Sequence, residues 1–246
     1  MKQQTIAMIL AAGKGTRLEK LTTTKPKALL EINGKTLLER VINQLIAAGI
    51  SEAVINVHHF ADQIKTFLAK TDFKAIRIHI SDESNQLMDT GGGILKAAGY
   101  FQNYKTVLIH NVDILSDLNL QLIIEEFNKS EAKAWLLTQE RESSRKLLFD
   151  RHNQLCGWKD LRNGQYKWVG QPRSDYNERS FSGIHLFKPA LFAECPIEQA
   201  SIIDLYLSLA RNFTIESKPI QTNYWFDLGK KSQIEAINHF FQLQEP

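Results

Sequence analysis

Thr5-Ile6-Ala7-Met8-Ile9-Leu10-Ala11-Ala12-Gly13-Lys14-Gly15-Thr16-Arg17-Leu18 decides how the rest of the chain is read. Thr5 to Ala11 is an unbroken apolar run that ends in small residues and glycines, the pattern of a buried parallel strand delivering its chain into a loop. The loop is not a Walker motif, since no Gly-Lys-Ser/Thr follows a first glycine at the required spacing. Nor is it a dinucleotide fingerprint, because Leu18 stands where the third glycine belongs. What remains is a turn whose backbone N–H groups can approach an anion. Arg17 offers phosphate oxygens a planar fork, and Lys27, set after Pro26, brings a point charge from another direction. On these residues alone, a phosphate cradle and a structural turn stand level.

Working outward, Leu37, Leu38, Val41, Ile42, Leu45 and Ile46 recur at helical spacing. Thr36 with Glu39 forms a capping box in front of them, and Gly49 stands at the C-terminal cap. Strands are expected at 53–57, 75–80, 106–110 and 132–138. Helices are expected at 60–70, with Phe60, Ile64, Phe67 and Leu68 on the apolar side, just beyond Gly91-Gly92-Gly93, and at 118–129. This alternation predicts an α/β fold with a doubly wound, mostly parallel mixed sheet, whose ligands bind outside the carboxyl ends of the strands. From about residue 139 the rhythm changes. A hairpin at 147–151 and 154–158 and a strand at 180–187 read as a β-rich insertion, followed by a helix at 202–211, a strand near Thr214 and a final helix. The expectation is one domain over 1–246: an α/β core at 1–138, the β-rich insertion at 139–190 and a closing segment at 191–246.

Composition narrows the function. With 43% hydrophobic and 23% charged residues the chain has enough apolar material to bury a large sheet. Thirty basic against 27 acidic residues leave a net charge of +3, too little for a surface that tracks nucleic-acid phosphates. Cys156 and Cys195 form neither a CxxC pair nor a disulfide framework, which points to a reducing compartment. The first apolar run is too short for a signal segment or a membrane span, so a cytoplasmic protein without membrane or nucleic-acid partners is expected.

Other polar residues carry two readings each. Asp113 follows the strand that ends in His110-Asn111, where an aspartate is either a turn residue or a carboxylate aimed into the crevice. Glu83, acceptor-only when ionised, is either a partner for N–H donors of a ligand or a solvated loop residue. Gly183 in Phe181-Ser182-Gly183-Ile184 is either a bulge or a point of close backbone approach. His58 and His59 face opposite ways on a strand and do not ligate one ion together. Trp158 and Trp168 read as hairpin packing.

LAAGKGTRL followed by KPKALLEINGKTLLERVINQLIAAGI resembles the nucleotidyltransferase family that activates sugar 1-phosphates, with its LAAGxGTRL and PKxLxxIxGxPLLE patterns. The likeness runs through DTGGGILKA to the terminal YWFDLG. It implies a Rossmann-like fold of the glycosyltransferase-A type and an enzyme that joins a nucleoside triphosphate to a sugar 1-phosphate. It implies catalytic roles for Arg17 and Lys27, and a nucleotide wrapped by Leu10, Ala11, Ala12, Gly13, Gly15 and Thr16 and read near Glu83, Thr90 and Gly91. Sugar contacts fall to Asp89, Asn111 and Gly183, and Mg²⁺ to Asp113 with Asp227. Val112 departs from the family's glycine before the first aspartate. The DTGGG string and short chain look most like N-acetylmuramate-1-phosphate uridylyltransferases of cell-wall recycling, which favours UTP. Mannose- or heptose-1-phosphate guanylyltransferase, phosphocholine cytidylyltransferase and a catalytically silent nucleotide-sugar sensor stand as alternatives.

Overall fold

A computed structural model of the chain describes residues 3–13, 15, 18, 21–193, 195–229 and 231–244. In chain order the first elements are β1 (Gln3–Leu10), β2 (Glu31–Ile32), β3 (Lys35–Thr36), α1 (Leu37–Ala47), β4 (Glu52–Val57), α2 (Ala61–Lys70) and β5 (Arg77–Asp82). There follow α3 (Asp89–Lys96), β6 (Tyr104–Asn111), β7 (Ile114–Ser116), α4 (Leu120–Lys129), β8 (Ala134–Gln139), β9 (Arg145–Phe149), β10 (Leu155–Asp160) and β11 (Gln165–Trp168). The chain closes with β12 (Asn177–Phe187), α5 (Ile202–Leu209), β13 (Ile215–Pro219), β14 (Trp225–Asp227) and α6 (Lys231–Gln244).

Two compact units share these elements. One is drawn from Ile6–Leu87, His110–Gln121 and the segment from Thr222 onward; the other from Met88–Ile109, Leu122–Gln221 and the start of β1. In the first unit β1, β4 and β5 run parallel, and the register Leu10↔Asn56 and Asn56↔Ser81 brings their carboxyl ends level. α1 is built as its sequence predicts. The Thr36 hydroxyl accepts the Glu39 N–H at 3.1 Å, Gly49 adopts φ +75°, and Leu37, Leu38, Val41, Ile42 and Leu45 are fully buried. α2 departs from expectation at its start: Phe60 is left-handed, with φ 55°, and its ring lies 4.0 Å from that of His59. Phe60 is thus an entry residue, and Ala61 opens the helix. Two short ladders had no counterpart in the expectation. β2 and β3 pair around Asn33-Gly34, both at positive φ as a tight hairpin turn requires, and β7 pairs antiparallel with β14.

In the second unit β12 pairs antiparallel with β8 and β9, β9–β10–β11 continue as an antiparallel ribbon, and β13 joins β8 in parallel. Its core is aromatic: Phe187 meets Phe101 at 6.0 Å and Phe192 at 4.5 Å, and Phe127 meets Trp135 at 5.3 Å. Trp168 stacks on Tyr166 at 5.5 Å, the hairpin packing expected of it. The α/β class and the doubly wound mixed sheet are borne out. No described helix is long and apolar enough to cross a membrane.

Candidate active site

The loop after β1 is fastened on two sides. The Ala11 N–H donates to Asn56 Oδ1 at 2.7 Å, and the Val112 N–H donates to the Leu10 carbonyl at 3.2 Å. β1 therefore leaves the sheet held by the end of β4 on one flank and by the turn after β6 on the other. Leu10, Ala11 and Ala12 are buried, whereas Gly13 is exposed and a Cβ built there would meet nothing within 4 Å. Gly15 sits at φ +64°. Its carbonyl accepts the Thr22 hydroxyl at 3.0 Å, and a Cβ on it would press on the Thr22 methyl at 3.0 Å. A side chain at that point would be strained by conformation and crowded by Thr22. Thr16 and Arg17 lie outside the described residues.

Lys27 opens a short 3₁₀ turn after Pro26, whose φ of −68° and ψ of 149° set the approach. Its stem passes the loop, 3.4 Å from a Cβ built on Gly15, and its ammonium pairs with Asp113 Oδ2. The pair is largely removed from water, with side-chain exposures of 9% and 21%. Asp113 and Asp227 are brought onto neighbouring rungs by the β7–β14 ladder, in which Asp227 faces Ile114. The Leu228 N–H then donates to the Asp113 carbonyl at 2.9 Å. Asp227 Oδ1 accepts the Gly229 N–H at 2.9 Å. Asn111 is half-buried at the end of β6. Val112 is 5% exposed, so its side chain offers a ligand almost no surface. His110 is fully buried, and burial pushes its pKa down to about 4 against the opposing pull of the Asn111 carbonyl and of Asp113.

An exposed glycine backbone, an ammonium and two carboxylates suit an anionic ligand with a hard cation. Among the described residues no group of three or more His, Cys, Asp or Glu forms a metal cage. Two carboxylates fit Mg²⁺, which takes one or two such ligands and fills its octahedron with water and phosphate oxygens.

Glu83 is fully buried, and its Oε1 accepts Asn56 Nδ2 at 2.7 Å. Asn56 itself, 2% exposed, was not anticipated from the sequence. Its only signal was a polar residue interrupting the apolar run Ala53-Val54-Ile55-Asn56-Val57. The other expected residues belong to the second unit. Asp89 is exposed at φ 59° and accepts the Thr90 N–H at 2.6 Å, and the Thr90 hydroxyl accepts the Ile202 N–H at 3.1 Å. The N–H groups of Gly91 and Gly92 both donate to the Ala200 carbonyl, at 2.8 and 3.1 Å. Added Cβ atoms there would stand 2.8 Å from Ala200 O and 2.3 Å from Glu198 O. The glycine string thus has a packing reason: α3 begins flush against the backbone of 198–201. Gly183 is buried at φ +83°, where the register of β12 against β8 shifts.

The sequence profile of the family described as Nucleotidyl transferase matches residues 6–147. An N-acetylmuramate alpha-1-phosphate uridylyltransferase of Caulobacter vibrioides is 34% identical over 83% of this chain and 84% of its own length. Mannose-1-phosphate guanyltransferase beta-A of Xenopus laevis is 24% identical over 91% of this chain but 61% of its own. Among solved structures, a UDP-glucose pyrophosphorylase from Acinetobacter baumanii superposes with a TM-score of 0.76 at 17% identity, covering 99% of this chain and 95% of that one.

Proposed function

Because this chain belongs to the nucleotidyl transferase family, we propose that it is a sugar-1-phosphate nucleotidylyltransferase that uses UTP and N-acetylmuramate 1-phosphate. The observation that carries the reading is the Lys27–Asp113 pair beside the loop after β1, with Asp227 on the neighbouring rung. The choice of nucleotide and sugar leans on the 34% identical uridylyltransferase.

A phosphate oxygen of the sugar 1-phosphate attacks the α-phosphorus of UTP in line with the bridging oxygen to the β-phosphorus. The new O–P bond forms as the old one breaks, and pyrophosphate leaves with the electron pair. The attacking oxygen is already anionic at neutral pH, so the site needs no general base, and catalysis reduces to positioning and charge neutralisation. The exposed backbone at Gly13 receives the nucleotide. The Lys27 ammonium exchanges Asp113 for the phosphates it bridges, and Arg17 takes up charge on the departing pyrophosphate. Asp113 and Asp227 would hold Mg²⁺, which supplies Lewis-acid polarisation of phosphoryl oxygens when bound.

The test is a pyrophosphate-release assay pairing UTP, GTP, CTP and dTTP with N-acetylmuramate 1-phosphate, mannose 1-phosphate, glucose 1-phosphate and phosphocholine, with and without Mg²⁺. One productive pair, UTP with N-acetylmuramate 1-phosphate, is expected. A dominant signal with GTP and mannose 1-phosphate would favour the guanylyl reading suggested by the Xenopus relative. Tight nucleotide-sugar binding without pyrophosphate from any pair would leave a sensor instead of an enzyme.

A further inference from the structure

Glu83, expected near the nucleobase, is fully buried, and its Oε1 accepts a hydrogen bond from Asn56. The parallel pairing of β1 with β4 ends at Leu10↔Asn56. Ala11 is therefore the first residue to leave the sheet, and its N–H goes to a side chain, Asn56 Oδ1 at 2.7 Å. The other end of that amide, Nδ2, donates to Glu83 Oε1 at 2.7 Å. All three residues are buried, with exposures of 4%, 2% and 0%, and the Glu83 N–H is anchored to the Val57 carbonyl at 2.7 Å. An asparagine amide can turn end for end and present either a donor or an acceptor. The Ala11 N–H can only donate, so it takes the carbonyl of Asn56, and the NH₂ is left to face Glu83, whose Oε1 accepts it and holds the amide in place.

We propose that Glu83 is a positioning residue. Through Asn56 it fixes the point and direction at which the loop after β1 departs from the sheet, and so holds the backbone of Ala12 and Gly13 for the nucleotide. This rests on the nucleotidyl-transfer reading. The relay would be assembled in the free protein, so nucleotide binding finds the loop already oriented.

The test exploits the polarity of the relay. In Asn56→Asp, one oxygen still accepts from Ala11, but the NH₂ that donated to Glu83 is gone. Adding Glu83→Gln restores complementarity, because the NH₂ of the new glutamine donates to the new carboxylate on β4. Affinity for UTP, measured calorimetrically, and the two KM values are compared for wild type, Asn56→Asp, Glu83→Gln and the double variant. Asn56→Asp is expected to weaken UTP binding and raise the UTP KM by about ten-fold, leaving the sugar-phosphate KM unchanged. Glu83→Gln, which keeps an acceptor for Asn56, and the double variant are expected within about three-fold of wild type. A fall in kcat with both KM values unchanged would mark a merely structural role and overturn the proposal. So would a Glu83→Gln protein with altered preference among the four triphosphates, which would make Glu83 a base reader. If Asn56→Asp does not fold, a double variant that folds and binds UTP normally supports the relay, and one that folds but binds UTP poorly overturns it. Failure of the functional reading itself is seen separately, as wild-type protein that neither binds UTP nor releases pyrophosphate.

Discussion

Lys27 and Asp113 are each other's counter-ion in a largely dry setting, and that makes them one energetic unit. Lys27→Met strands a carboxylate and Asp113→Asn an ammonium, each at a cost of about 2 kcal/mol once partial exposure of Asp113 is allowed for. The double variant strands neither, so urea unfolding should show a combined loss smaller than the sum of the two, by about 1 kcal/mol or more. Stability and catalysis separate here: despite the recovered stability, the double variant should turn over slower than wild type by at least about 10²–10³-fold. Asp113→Ala with wild-type turnover would remove the residue from the site. Lys27 and Asp113 were legible because charge type and position relative to strands are written in sequence. The burial of Glu83 was not legible, because sequence gives a residue's chemistry but not how far it is removed from water. Asn56 was missed for the complementary reason, since its importance lies in a hydrogen bond to a residue distant along the chain.

At the scale of elements, the helix start at Thr36 and the beginning of α3 give opposite lessons. Thr36 declares its role locally, through Glu39 three residues on, and Thr36→Ala should cost about 1 kcal/mol, lowering Tm by roughly 2–4 °C. The glycines of α3 declare nothing locally. Their reason is the backbone of 198–201, far along the chain, so the string could be matched to a family but not explained from its own residues. Gly92→Ala must displace that backbone and is expected to destabilise by about 1–3 kcal/mol in thermal or urea melts. Gly99→Ala, with open space and no positive φ, serves as the control and should be neutral or slightly stabilising. The β2–β3 and β7–β14 ladders escaped prediction because two or three residues carry no periodicity. Asn33-Gly34 was the one local signal for the first.

For the whole molecule, acid stability follows from His110. Burial holds its pKa at about 4, so the folded form stays neutral while the unfolded chain takes up a proton near 6.5. Stability is therefore lost as pH falls from 6.5 to 4, roughly 3 kcal/mol over the window. Asp82, held below the usual carboxylate value by Lys65 and Ser84, adds its loss only at lower pH. Urea midpoints at pH 7, 5.5 and 4.5 should fall more steeply for wild type than for His110→Gln, and equal slopes would count against the assignment. The arrangement of the two units also bears on how the site comes into being. Lys27 and Asp113 belong to the first half of the chain, but β14, which carries Asp227, returns to that unit only after the whole of Leu122–Gln221 has been made. A nascent chain emerging from the ribosome can settle its lysine–aspartate pair early, yet the second carboxylate emerges only after Leu122–Gln221 has been translated. Biosynthesis itself thus withholds the acidic pair until the intervening unit has left the ribosome.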